Sequence, residues 1–467
     1  MSHEEGLQAL KAGDFRLAIP LLENAVRETG YSSETFNHAY TLALYQAGDR
    51  NRLANAAFSI GDFLFETNPG LAMDYFQRAL LGGLDAACVR HIGEIFEAWA
   101  GPRPERDPSA AAGKPIRKVA HVVGSLARDH EQAQHVNMLA KSLRQEGVHS
   151  LIFTTEWDAA WFFNPACEPV SPPSNQPDIV IASVEGDFNE RASRVAAAIR
   201  ASGVQAAFYH GGLSEQITMR VATHRPASVQ VNVGYGAEMD ASIFDGYIYL
   251  TKQGFELTHH PEAAVWIRPA SNIEELLQGC PPNLRQLMAL ESAETVSATL
   301  GDLKHASDPG FLRVLADLLR NSPKHFHLFA GPGDVKPVRG CLHAEEVLPQ
   351  VRFMGSMSES ASVLAVTDVY LSPFLDSADG PILDAMGAGK PAVVFENSRC
   401  AELLGIPELT ARNEGDYAQI AQRLIRDKAE RERCAGMVLS RFRQEFDPAL
   451  LGPRYMQFLR KILQELR

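Results

Sequence analysis

The sequence predicts an all-α region followed by two Rossmann-like α/β domains in tandem. Three observations carry this. Residues 3–100 place apolar side chains at helical spacing throughout, as in Phe15, Ala18, Leu22, Ala25 and Val26. After residue 116, short near-continuous apolar runs alternate with amphipathic stretches, the texture of buried parallel strands and their crossover helices. Between the two lies GPRPERDPSAAAGKPI, residues 101–116, whose prolines and small residues read as a linker. The expected domains are 1–100, helical; 101–116, linker; 117–285, first α/β; 286–448, second α/β; and 449–467, a closing helix.

Within the helical region, Gly13-Asp14 and Gly48-Asp49 lie 35 residues apart and each ends an Ala/Leu-rich helix. A third unit begins near Asn68-Pro69 and runs through Ala72, Phe76, Ala79 and Leu80. This resembles tetratricopeptide repeats, of period about 34 residues; a plain helical bundle is the alternative. In the first α/β domain the strands are 118–124, 150–154, 178–182, 204–210 and a run before Gly234, with helices over 131–145 and 189–201. In the second they are 296–300, 325–330, 351–354, 368–372 and 391–395, with helices over 309–320, 359–365, 380–388, 416–437 and 449–466. Ligands of such sheets bind beyond the carboxyl ends of the strands, so the expected site is a cleft between the two domains.

Composition narrows the function classes. Lys and Arg number 44 against 57 Asp and Glu, a formal net charge of −13. Such a chain lacks the basic field that sequence-independent nucleic-acid or anionic-membrane binding needs. No uncharged apolar run approaches a membrane span of about 18 residues, and the first residues do not read as a signal peptide. Six cysteines without a C-x-x-C spacing argue against structural zinc and fit reduced thiols, so the expected location is the cytoplasm. His259-His260 has no further ligand nearby and reads as surface, so no metal site is expected.

Three segments carry candidate chemistry. LGDLKHASDPGFLRVLADLLRNSP, residues 300–323, is a strand, a loop with Lys304, an acidic cap and a helix. A lysine just past a strand end, beside a helix N-terminus, suits a diphosphate; the alternative is a solvated surface lysine. DSADGPILDAMGAGKPAVVF, residues 376–395, opens a helix at Asp379-Gly380-Pro381 and puts Asp384 one turn in. A carboxylate there suits two ribose hydroxyls; otherwise Asp379 is an N-cap and Asp384 is solvated. His210, at the end of a strand in the segment from Val204 to Asp245, is the candidate general base, because imidazole titrates near neutrality. Its alternative is a packed structural histidine.

Together these segments resemble glycosyltransferase family 41, the protein O-GlcNAc transferases and bacterial protein N-glucosyltransferases. RPASVQVNVGYGAEMDASIFDGYIYLT is similar to that family's Arg-Pro-Ala-Pro to Asp-Tyr segment, LKHASDPGFLRVLADLLRNSP to its Lys-x-x-x-Pro segment, and VRFMGSM with TDVYLSPFLDSADGPILDAMGAGKP to its uracil-side loop and donor helix. The resemblance implies a GT-B fold, two Rossmann-like domains behind helical repeats. It implies that Lys304 binds the donor diphosphate and aids catalysis, that Asp384 binds the ribose, and that Gly380 and Pro381 stand where threonines hold phosphate. Met357 stands at the nucleobase, and Asp379 where the family often has His or Asn. His130 and His135 are rough counterparts of a histidine near the end of the first strand; His210 has no firm counterpart.

A second resemblance competes. Asp376 and Asp384, with DAMGAGKP, resemble the E-x7-E pattern of retaining GT-B enzymes that build glycans or glycolipids, with Asp in place of both Glu residues. The repeats favour the protein-modifying reading. That reading implies metal-independent sugar transfer from a nucleotide sugar, a UDP-sugar, with no resident cofactor, to an acceptor protein such as a bacterial surface adhesin or flagellin. The helical region would hold the acceptor or form a homodimer. A non-catalytic adaptor with a decayed GT-B domain and a nucleotide-sugar epimerase are the rivals.

Overall fold

A computed structural model describes residues 3–84, 86–100, 115–124, 131–154, 179–181, 188–211, 216–235, 243–256, 258, 261–355, 360–374 and 379–465. The chain forms two compact units, Met1–Arg268 with Leu451–Arg467, and Pro269–Leu450.

The first unit opens with six helices: α1 (His3–Lys11), α2 (Phe15–Thr29), α3 (Glu34–Gln46), α4 (Arg50–Phe65), α5 (Pro69–Gly82) and α6 (Ala86–Ala100). Each packs on the next, an arrangement that fits a tetratricopeptide-like domain. The Gly-Asp pairs do two jobs. Gly13 and Gly48 take positive φ and end a helix. Asp14 and Asp49 then cap the following helix, accepting from the Leu17 and Arg52 amides at 3.2 and 3.3 Å.

The α/β part of this unit contains β1 (Lys118–Val123), α7 (Glu131–Gln145), β2 (His149–Thr154), β3 (Ile179–Ile181), α8 (Phe188–Ser202), β4 (Ala206–His210), α9 (Gln216–Thr223), β5 (Val229–Gly234), β6 (Gly246–Tyr249) and β7 (Ala264–Trp266). The strands form one parallel sheet in the order β3-β2-β1-β4-β5-β6-β7. β4 and β5 are buried along their whole length, which is why they read as unbroken apolar runs. The helices and the sheet share a core. Phe76, Leu80, Ile92 and Phe96 pack into the same cluster as Val195, Ile199, Ile217 and Tyr209. Arg220 stacks on Trp99 at 4.3 Å. The helical region is therefore joined to the first sheet by apolar burial, where the sequence suggested a domain set apart by a linker; residues 101–114 of that linker lie outside the described residues.

The second unit contains α10 (Ile273–Gln278), β8 (Thr295–Leu300), α11 (Leu303–Ala306), α12 (Pro309–Arg320), β9 (His325–Ala330), α13 (Lys336–Ala344), β10 (Val351–Phe353), α14 (Ser360–Val366), β11 (Val369–Leu371), α15 (Asp379–Gly387), β12 (Ala392–Phe395), β13 (Thr410–Ala411), α16 (Glu414–Arg426) and α17 (Lys428–Glu445). Its parallel sheet runs β10-β9-β8-β11-β12-β13. Residues 269–285 belong here, against the expected boundary at 285: a side chain on Gly387 would meet Ile273 at 2.5 Å, so α10 lies directly on α15. The span 416–437 falls in two helices. Asp427 ends α16 and caps α17, accepting from the Glu430 amide at 3.0 Å. The last helix, α18 (Leu451–Glu465), belongs to the first unit. Gly452 donates to Ser142 Oγ on α7 at 2.8 Å, and Ile462 and Phe458 press on Gly246 of β6.

Candidate functional site

In each sheet the order reverses beside its first strand, between β1 and β4 and between β8 and β11. Crevices at such switch points, outside the carboxyl ends of strands, are where open α/β sheets bind ligands. Both groups of candidate residues lie at these ends.

In the second unit the ends of β8, β9 and β10 are glycines held together through the backbone. Gly301 donates to the Ala330 carbonyl at 2.9 Å, and Gly331 to the Gly355 carbonyl at 2.5 Å. Gly301, Gly331, Gly333 and Gly355 all have positive φ. Leu303 donates to the Pro332 carbonyl at 2.9 Å, which fixes where α11 begins. Asp302 caps it, accepting from the Lys304 amide at 2.9 Å. Lys304 is exposed, and among the described residues its ammonium makes no ion pair. The N-terminus of α12 does not add to this site. Asp308 occupies it, accepting from Phe311 at 2.8 Å, and Glu414 crowds Gly310.

The helix that does reach the glycine ends is α15. A Cβ on Gly301 would stand 3.7 Å from Pro381 Cγ. Pro381 is buried and Gly380 exposed. First-turn amides of a helix have no intrahelical partner, so this end can receive an anion. An aromatic cluster anchors the chain on its way there. Phe374 contacts Phe395, Tyr417 and Phe311 with ring centroids 4.4, 5.1 and 5.5 Å apart. Tyr417 donates to the Ser372 carbonyl at 2.7 Å.

Asp384, one turn along α15, is half-buried. Ser271 Oγ donates to its Oδ1 at 2.6 Å. Burial pushes its pKa up to about 6, and the hydroxyls of Ser271 and Ser360 work against that rise. The side chain of Asp379, and Met357, Asp376, His130 and His259-His260 altogether, lie outside the described residues.

In the first unit, His210 ends β4 fully buried. Its Nε2 faces His121 Nδ1 at 3.2 Å, and its Nδ1 faces the Tyr235 hydroxyl at 3.1 Å. His121 Nε2 faces Ser150 Oγ at 3.2 Å. His135, on the inner face of α7, faces the Tyr455 hydroxyl at 2.8 Å and stacks edge-on to Tyr235. Burial holds His210 well below its usual range, His121 at about 3 and His135 at about 4, so all three are neutral. His210 therefore has no free ring nitrogen for an acceptor's proton. This geometry fits the packed, structural alternative to the general base expected from its position.

Four participants were not found in the sequence. Gly331 and Gly333 follow an apolar strand as Gly-Pro-Gly, a signal that was legible. Ser271 and Ser360 carry no local signal. In the segment RPASVQVNVGYGAEMDASIFD, Arg225 Nη2 donates to both oxygens of Asp245 at 2.7 and 2.9 Å, and Gln230 N donates to Oδ2 at 2.8 Å.

Residues 301–427 match the family model described as Glycosyl transferases group 1. No curated protein matches the sequence. Among solved structures, a mutant of the O-GlcNAc transferase of Thermobaculum terrenum is 17% identical, with a TM-score of 0.59, 99% of this chain covered and 91% of that one. A sucrose-phosphate synthase from Thermosynechococcus elongatus is 16% identical, with a TM-score of 0.52, covering 75% of this chain and 100% of that one. Anabaena HepE in complex with UDP and glucose is 15% identical, with a TM-score of 0.51, covering 73% and 99%. No helix among the described residues is long and apolar enough to cross a membrane. The second unit thus carries a glycosyltransferase group 1 domain, and the chain is a sugar-transferring enzyme with the GT-B fold.

Proposed function

We propose that the protein moves a sugar from a nucleotide sugar, a UDP-sugar, to a side chain of an acceptor protein. One observation carries the acceptor class. The likeness to the O-GlcNAc transferase runs over 99% of this chain, helices included, while those to the sucrose-phosphate synthase and HepE run over 75% and 73%. Stacked helical pairs offer extended surfaces suited to a peptide.

The donor is held in the second unit. Lys304 neutralises the diphosphate, and the first turn of α15, at Asp379 and Gly380 with Pro381 seated near Gly301, lies toward the phosphates. Asp384 accepts from the ribose hydroxyls, and the resemblance assigns the base to Met357. As the bond from sugar to diphosphate breaks, negative charge grows on the leaving phosphate. Lys304 and the helix end stabilise it, and in this reading no divalent metal is required.

A second reading has its own support. The group 1 match over 301–427 and the Asp376–Asp384 spacing favour a glycan or glycolipid acceptor. Labelled UDP-sugars incubated with the full chain, a protein extract and a lipid extract separate the two. Label in precipitated protein, absent with Lys304→Ala, supports the first. Label only in the lipid or glycan fraction supports the second. Neither transfer nor UDP release with any acceptor sinks both.

A further inference from the structure

One buried hydroxyl is bonded to a carboxylate whose charged form a second buried hydroxyl also favours. Ser271 stands just past Pro269, where the chain enters the second unit, and Ser360 opens α14. They are 8% and 9% exposed. Ser271 Oγ donates to Asp384 Oδ1 at 2.6 Å and accepts from the Ile273 amide at 3.2 Å, so its single proton is committed to the carboxylate. Ser360, the second hydroxyl, also favours the charged form of the carboxylate. Among the described residues no cation pairs with Asp384.

The surroundings otherwise oppose charge. Burial is the largest influence on Asp384, and it favours the neutral acid. Tyr370 of β11 is the titratable side chain coupled to it, with Cys400 beyond. Glu274 of α10 and Arg443 of α17 pair with each other at 3.1 Å, and both are exposed. The two serines are thus the groups that favour the carboxylate. An ionised carboxylate accepts at both oxygens; the acid loses one acceptor position to its own proton.

We infer that Ser271 and Ser360 are positioning residues for donor recognition, holding Asp384 ionised and oriented so that it can accept both ribose hydroxyls of the nucleotide sugar. This rests on the proposed reading of Asp384 as the ribose-binding carboxylate. The serines themselves need touch no part of the donor.

The test is the pH dependence of donor KM and kcat for the full chain and for Ser271→Ala, Ser271→Thr, Ser360→Ala and Asp384→Asn. Asp384→Asn is expected to raise donor KM about tenfold or more across the range. Ser271→Ala and Ser360→Ala are expected to move the pH at which donor KM rises upward by about one unit, roughly tenfold in KM at the acid end. The effect should fall on KM more than on kcat, and Ser271→Thr, which keeps the hydroxyl, should restore the wild-type profile. Wild-type profiles in both alanine variants, beside a raised KM in Asp384→Asn, would overturn the inference and leave the ribose reading standing. An unchanged KM in Asp384→Asn would remove the ribose reading itself. If Ser271→Ala melts before assay, Ser360→Ala carries the test through the second serine.

Discussion

Gly331 lies so close to Gly301 that a Cβ built on it would stand 1.8 Å from the Gly301 carbonyl oxygen. Its φ of +154° is one that L side chains rarely adopt. The ends of β8 and β9 can meet this way only without side chains, and their meeting sets where α11 and Lys304 begin. Gly331→Ala is expected to destabilise the second unit by more than about 2 kcal/mol and to weaken nucleotide binding with it. Urea unfolding and calorimetric titration with UDP check this; wild-type values for both would show that the close approach does not matter.

Lys304→Ala separates function from folding. The side chain is exposed and has no ion pair among the described residues, so stability should stay within about 0.5 kcal/mol of wild type. Turnover should fall about 10²- to 10³-fold, the usual cost of removing a group that stabilises developing charge. A melting curve and a donor-turnover assay on the same preparation give both numbers.

Arg225→Ala should do the reverse. The Arg225 and Asp245 side chains are 13% and 9% exposed, and removing the arginine leaves a nearly buried carboxylate with, among the described residues, the Gln230 amide. A loss of about 3–5 kcal/mol is expected in denaturant unfolding. Full-strength folding with lost turnover would instead mark the arginine as part of the site.

Acid should destabilise both units. Burial holds His121 at about 3 and His135 and His325 at about 4, and holds His210 and His327 well below the usual range. Below about pH 6.5 the unfolded chain takes up protons that the folded chain refuses. The histidine contribution is therefore complete above that pH and falls as pH drops toward 4, by more than about 1 kcal/mol per unit for each group. Asp384 runs the other way: its raised value of about 6 makes the folded chain bind the proton more tightly between its ordinary range and pH 6, a partial offset. Unfolding midpoints at pH 7, 6 and 5 should fall steeply; a flat profile would contradict the neutral, buried assignment.

Much of the second unit was legible because its signals are local. Asp308-Pro309 starts α12 and its amphipathic pattern ends at Arg320, while HFHLFA is β9 residue for residue. The crossing of α18 back to the first unit followed from the resemblance to GT-B chains. What stayed hidden depends on partners far away in sequence. Ser271 and Asp384 are 113 positions apart, and no spacing rule links them. His210 showed its place at a strand end but not His121, 89 positions away, or Tyr235, which together occupy both ring nitrogens. The helices of residues 3–100 were clear, yet nothing in their period says that Phe76 and Phe96 complete the core beneath the first sheet.

The central claim is a nucleotide-sugar site in the second unit that works through Lys304. The most direct measurement is calorimetric titration of the full chain and of Lys304→Ala with UDP, GDP and CMP. The account predicts that wild type binds UDP in preference to the others and that Lys304→Ala binds it at least about tenfold more weakly, a cost typical of losing a charged hydrogen-bonding partner. Binding of none of the three, or equal UDP affinity in the two proteins, would contradict it.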